Sequence, residues 1–274
     1  YTDTQGWVVN TTTPQARCSS PTTYNQYRPN DVLIDGYVNF ASHNFWNGLQ
    51  INTPGGGEEQ LLYRPTAGTL PIPATGNWTP LTTKNQWHFG CLPSVQSGHP
   101  GEGFLAMAPD GTRYWFDWMV SYDERPMRGS AQVVDCCGAA TVTLRAEILR
   151  RVYRLYPTRI EDRFGNYVTY AWSGNNLTSI TASDGRSIAL TYSGGRIASA
   201  TAGTRTFQYG YTDGLLTSVT QPDGSSWGFS TSAMVNLRRF VPLTTDTFDY
   251  PTRCQLMRTL AGVEADLAMT HPSG

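Results

Sequence analysis

Four glycines, Gly165, Gly185, Gly203 and Gly224, fall 20, 18 and 21 residues apart, and this period restricts the fold more than any other feature. From Asp162 to Phe229 the chain reads DRFGNYVTYAWSGNNLTSITA, SDGRSIALTYSGGRIASATA, GTRTFQYGYTDGLLTSVTQ and PDGSSWGF. Each full line holds a Gly-marked turn, an alternating strand with an aromatic, a second turn, and a Leu or Ile that opens a return strand. Those openers are Leu177, Ile197 and Leu216, at spacings of 20 and 19. A fixed period of this length marks one supersecondary unit stacked on copies of itself.

The unit is a β-hairpin. Asp184-Gly185 and Asp223-Gly224 supply the positive φ that tight hairpin turns need. Between turns the residues alternate: Tyr167, Thr169 and Ala171 point one way, Val168, Tyr170 and Trp172 the other. Ile188, Leu190 and Tyr192 share a face in the second unit, and Phe207, Tyr209 and Tyr211 in the third. Period-two patterning rich in β-branched and aromatic residues signals strands. A lone hairpin cannot bury its apolar face, but stacked neighbours can. The expected fold class is therefore all-β, built of antiparallel hairpin repeats, with a turn-rich β region before them.

At these residues the chain resembles the RHS/YD-repeat proteins. Their repeat reads roughly Gly-x-x-x-x-aromatic-x-Tyr-x-x-x-Gly-x-Leu. Gly165…Tyr170…Gly174…Leu177 is similar to it, as are Gly185…Tyr192…Gly195-Arg196-Ile197 and Tyr209-Gly210-Tyr211-Thr212-Asp213-Gly214…Leu216, a span of about a quarter of the chain. Gly101–Asp117 also looks like the region before the repeats in some bacterial members. The resemblance implies an extended, curved sheet of the YD-repeat type, part of a hollow shell around a C-terminal toxin or effector domain. It implies as partners the rest of a longer polypeptide, with further repeats and that effector, and a secretion apparatus. It implies a secreted or surface location in a bacterium. The aspartate block with which some members cleave themselves is not found here, so self-cleavage is not carried over.

Composition agrees with a turn-dense β chain. There are 27 Gly and 17 Pro, and only 15% of residues are charged, against about 25% on average. Disorder does not follow, because 33 aromatic residues accompany the low charge. The net charge of −1 gives no broad attraction to nucleic acid or anionic membrane. Nineteen of the 20 basic residues are Arg and one is Lys84, the mark of a GC-rich genome and a bacterial source. Cys18, Cys91, Cys136, Cys137 and Cys254 show no zinc spacing. Two bridges and a leftover thiol, or isolated thiols, are both open, and spacing does not decide the pairing. No signal peptide is seen, and no apolar run is long enough for a membrane helix.

Three regions are expected: 1–150, β-rich and preceding the repeats; 151–232, the repeats; 233–274, irregular, with the start of a further hairpin. In the first, short strands are expected at Trp7–Val9, Val32–Ile34 and Tyr37–Phe40, and around Trp78 and Gln86–Phe89. Asn47-Gly48 suggests a hairpin turn. Pro54-Gly55-Gly56-Gly57 reads as a turn, since no Gly-Lys-Ser/Thr follows to make a phosphate loop. Phe104–Met107 and Thr112–Trp118 form a hairpin around Pro109-Asp110-Gly111. Residues 121–138 read as a polar excursion. In Thr141–Tyr156, Leu144, Ile148, Val152 and Leu155 have helical spacing. The flanks favour a strand ending near Leu155; a short helix is the alternative. Its arginines, Arg145, Arg150, Arg151 and Arg154, read as a solvated face or as partners of Glu147, Glu161 and Asp162. The chain stops at Thr270-His271-Pro272-Ser273-Gly274, a hairpin turn without its return strand, as expected of a piece of a longer chain or of one completed by another copy.

No chemistry is expected in these residues. The pairs Glu58/Glu59, Asp123/Glu124 and Glu161/Asp162 point to opposite faces of a strand and make no acid–base dyad. His43, His88, His99 and His271 have no ligand spacing. No nucleophile elbow or calcium loop occurs, and no catalytic residue, metal or cofactor is assigned. The residues that define the repeat are Gly165, Tyr170, Leu177, Gly185, Tyr192, Ile197, Gly203, Tyr209, Leu216 and Gly224. Trp46, Trp78 and Trp87 lie outside it and are the candidates for a ligand surface. The expected function is a non-enzymatic scaffold, a section of shell that encloses or presents an effector. The alternative is a secreted or surface module that binds carbohydrate or protein through those aromatics.

Overall fold

The computed structural model describes residues 17–19, 32–41, 49–55, 57–63, 76–134, 141–230 and 268–272. The chain is all-β with antiparallel, hairpin-connected strands, and the described residues contain no helix. It divides after Asn176 into two compact units.

The first unit opens with two small hairpins, β1 (Val32–Ile34) with β2 (Val38–Phe40) and β3 (Gln50–Thr53) with β4 (Gly57–Gln60). Its main sheet then runs in chain order: β5 (Leu62–Tyr63), β6 (Trp78–Thr82), β7 (His88–Leu92), β8 (Gly103–Met107), β9 (Arg113–Val134), β10 (Thr141–Glu161) and β11 (Tyr167–Ser173). Alternation puts Phe89, Phe104, Ala106 and Met119 inward, where they join Val38, Phe40, Ile51, Leu61, Leu81 and Trp87 in one core.

The 121–138 stretch corrects the expectation of a polar excursion. Residues up to Val134 continue β9, paired with β10 from Val134↔Thr141 to Arg113↔Glu161. Polar residues are accommodated because they pair across strands, as Arg128 does with Glu147 at 2.7 Å. Gly129 is bare for a reason: a Cβ there would lie 2.9 Å from Phe40 and Val38, so its absence lets β2 lie on β9.

The helix alternative at 141–156 is also overturned. The register slips between Ile148 and Arg150, where Arg125 and Pro126 of β9 stand opposite Leu149 alone; the buried series is Leu144, Ala146 and Ile148 before the slip and Tyr153 and Leu155 after it, which imitates helical spacing. Leu149 itself is exposed. The boundary expected at 150 thus falls inside a strand of 21 residues. Trp7–Val9, the Asn47-Gly48 turn and most of 233–274 lie outside the described residues.

The second unit is a meander: β12 (Asn176–Ala182), β13 (Ser187–Ser193), β14 (Arg196–Ala202), β15 (Arg205–Thr212), β16 (Leu215–Thr220), β17 (Ser226–Ser230) and β18 (Ala268–Thr270). Two turn types build it. At 108–112, 162–166, 182–186 and 221–225 the first residue's N–H donates to the carbonyl four residues on (2.7–2.9 Å). In each of these loops the glycine, at φ +85° to +89°, donates back to the first residue's carbonyl. This is a three-residue loop, a type I turn closed by a glycine in the left-handed region, and the positive φ expected of Asp-Gly is carried by the glycine. Pro109 and Pro222 stand at the position whose φ proline pre-sets. At the other strand ends, Gly194-Gly195 and Asp213-Gly214 form two-residue turns with both φ positive.

Gly203 is the exception among the four anchor glycines. It opens a two-residue turn with Thr204, closed by the Ala202↔Arg205 pair, with φ +60°. The shorter turn accounts for the uneven 18 and 21 spacings around it.

Candidate interaction surfaces

Cross-strand pairs share a face, so the register of the second unit sorts its side chains. One face holds the rows Ile180–Ile188–Ala202, Leu190–Ala200–Phe207, Tyr192–Ile197, Tyr209–Val219–Trp227, Tyr211–Leu216 and Phe229–Met269. The other holds Thr191–Ser199–Gln208–Thr220–Ser226, with Thr181–Ser187 and Thr201–Thr206 beside it. Hydroxyls on that polar face bond each other across strands: Thr191 to Ser199 at 2.6 Å, Thr201 to Thr206 and Thr220 to Ser226 at 3.0 Å. No described side chain from 177 to 230 is buried. The apolar face is half-exposed, with Ile188 and Tyr211 the most open on the repeat strands.

The aromatics occupy two register positions, and Tyr170, Tyr192 and Tyr209 do not all share one. Tyr170, Leu190 and Tyr209 are equivalent; Trp172, Tyr192 and Tyr211 are equivalent two residues later. The second set makes a recurring contact. Trp172 Nε1 donates to the Pro157 carbonyl (3.1 Å), Tyr192 Oη to Leu177 (2.8 Å) and Tyr211 Oη to Ile197 (3.0 Å). Each acceptor opens, or stands in the place of the residue that opens, the preceding return strand. Bulges at Ala198 and Thr217 sit beside the Tyr192 and Tyr211 pairs. Repeat residues Leu177 and Ile197 thus carry a backbone role as well as an apolar side chain.

The structure does not bring the three tryptophans outside the repeat together. Trp87 is 5% exposed, packed on Tyr114 in the core, and offers no surface to a ligand. Trp78 is half-buried and meets His88 edge to face. Trp46 lies outside the described residues.

Sequence reasoning missed two clusters. On β9–β11, Arg159 lies 3.9 Å from the Tyr167 ring centroid and 5.5 Å from that of Trp115, which Arg113 also approaches. Both guanidiniums bond Glu161, so the Arg159 hydrogen bond, with the charge of Arg113, holds that carboxyl below its ordinary range. Only strand pairing joins residues 113, 115, 159, 161 and 167.

The second cluster closes a strap. Cys18 is bonded to Cys91. Arg17, fully buried, donates to the carbonyls of Glu102 (2.6 Å) and Pro100, and the Glu102 carboxylate accepts the N–H groups of Cys18 and Ser19 at 2.8 Å. Burial, then the charge of Arg17, pushes the nearby His99 imidazole below its ordinary pKa. Cys136, Cys137 and Cys254 lie outside the described residues.

Among the described residues no group of three or more His, Cys, Asp or Glu converges as a metal site. The turn aspartates do what their turns require. Asp110, Asp184 and Asp223 accept the N–H two residues on, at 2.9, 3.1 and 2.9 Å. In the first repeat loop the aspartate moves to the opening position, where Asp162 accepts from Phe164 and Asn166. No family model matches the chain, and no curated protein matches it.

Proposed function

We propose that the chain is a non-enzymatic scaffold, a section of RHS/YD-like wall that encloses or presents an effector domain of the same polypeptide. The observation that carries this reading is the recurrence of one hairpin with one internal contact, Trp172, Tyr192 and Tyr211 each bonding a carbonyl 14 or 15 residues earlier. A unit that repeats its backbone contact can be extended without a new design, as a wall requires. The Cys18–Cys91 bridge supports folding in an oxidising compartment, in keeping with a secreted or surface protein.

The test reads the open reading frame around this chain and then its product. Further copies of the hairpin and a distinct C-terminal domain are expected, with the intact product shielding that domain from protease. A frame without either, or an effector cleaved as fast with the repeats as without them, overturns the reading. Glycan binding abolished by Trp78→Ala would instead favour a carbohydrate-binding module.

A further inference from the structure

The second unit presents an apolar sheet face that none of its described residues covers. A sheet with one apolar face is stable when that face meets another layer. We propose that the layer is the same face of a second copy of this chain, in a two-fold, face-to-face pair.

The first ground is relief. Aromatic rings stand on alternate strands: Tyr192 on β13, Phe207, Tyr209 and Tyr211 on β15, Trp227 and Phe229 on β17. Between them β14 presents Ile197, Ala200 and Ala202, and β16 presents Leu216 and Val219. The face is therefore ridged with a period of two strands, about 9.6 Å. A surface of that period fits itself after a shift of one strand, ridge into groove. Another partner would have to reproduce the period by chance. Two-fold association demands this self-complementarity.

The second ground is charge. The charges that reach this face stand at its rim: Arg205, exposed beside the Gly203-Thr204 turn, and Arg196, whose guanidinium lies 5.8 Å from the Tyr211 ring and donates to the carbonyls of the turn residues Gly194 and Gly214. Two copies can meet without burying an unpaired ion. The third is area. Six strands of about seven residues, at about 4.8 Å between strands and 3.3 Å per residue, give about 650 Å² of face. That approaches the roughly 800 Å² per partner of a standard specific interface. The opposite face, with its hydroxyl rows, stays in water.

Sedimentation velocity of the intact, oxidised chain across a dilution series is the test. A dimer of twice the chain mass at micromolar concentration is expected. Phe207→Glu, in the central row, should raise the dissociation constant at least tenfold. Gln208→Glu, its neighbour on the polar face, should leave it unchanged. Circular dichroism of each variant checks that the β signature is kept. If Phe207→Glu does not fold, the wild-type dilution series decides alone. A wild-type monomer at 100 µM overturns the proposal, and so does a Phe207→Glu variant that folds and pairs as tightly as wild type. None of these outcomes depends on the presence of an effector, so this proposal and the scaffold reading fail separately.

Discussion

The repeat is held at single residues by two devices, an aromatic that bonds back to the previous strand and a glycine in the left-handed region. Tyr192→Phe keeps the ring and loses only the 2.8 Å bond to the Leu177 carbonyl. A net loss of about 1 kcal/mol is expected, the usual worth of one such bond, read as a shift of the denaturant midpoint at constant slope. Gly224→Ala tests the second device. Nothing lies within 4 Å of the Cβ it would add, so the cost is backbone alone, about 1–2 kcal/mol at φ +85°. Gly224→Asn should cost less, because Asn tolerates that region. The loop carboxylates add a pH dependence. The Arg186 side chain holds Asp184 below the usual carboxylate range, Ser225 does so for Asp223, the Thr112 amide for Asp110, and Asn166 for Asp162. A depressed folded pKa means stability complete above the unfolded value, about 3.9, and lost as pH falls through the folded one. Thermal melts should be level from neutrality to about pH 5 and decline below pH 4. Asp184→Asn with Asp223→Asn should flatten part of that decline.

At the scale of elements, legibility followed locality. The turns of the repeat were readable because Pro-Asp-Gly and Gly-Gly fix φ within three residues. Even so, the two-residue and three-residue loops look alike as strings. Gly203 passed for an anchor equivalent to Gly185, although its turn is of the other type. Tyr192 was grouped with Tyr170 and Tyr209 because residues two apart share a face and hence a pattern. What the sequence hid depends on pairing across distance. Residues 121–134 look like loop because a charge such as Arg128 meets its partner, Glu147, only when β9 and β10 pair. The buried series of β10 changes face across the register slip at Leu149, and the break leaves a helical imitation. Trp87 was singled out as a surface candidate since a tryptophan outside the repeat has no partner in the string; its partner, Tyr114, arrives with β9. Trp115 was passed over because its partners Arg113 and Arg159 come together only when β9 and β10 pair. The fold class needs only alternation and turns; the surface residues need the register.

At the scale of the molecule, burial is divided unevenly, and stability should divide with it. Among the described residues, the buried core lies between Cys18 and Ile148, within the first unit. The disulfide there joins residues 73 apart. Closing a loop of that length removes entropy from the unfolded chain worth about 4 kcal/mol. Arg17 deepens the dependence: its buried guanidinium donates to the carbonyls of residues 100 and 102, and the strap that carries it is held by the bridge. The described strands of the second unit contain no cysteine and rest on ladder hydrogen bonds and half-exposed apolar rows. Reduction should therefore lower the melting temperature of the first unit by many degrees. It should leave the second nearly unmoved. Cys18→Ser with Cys91→Ser should reproduce the effect without reductant. The two units are separable by hydrogen exchange, read at Phe89 and Met119 for one and at Leu190 and Tyr209 for the other. Equal loss of protection in both sets on reduction would show that the units unfold as one body. In that case the bridge at residue 18 stabilises the repeats as well, and stability in this chain is not set unit by unit.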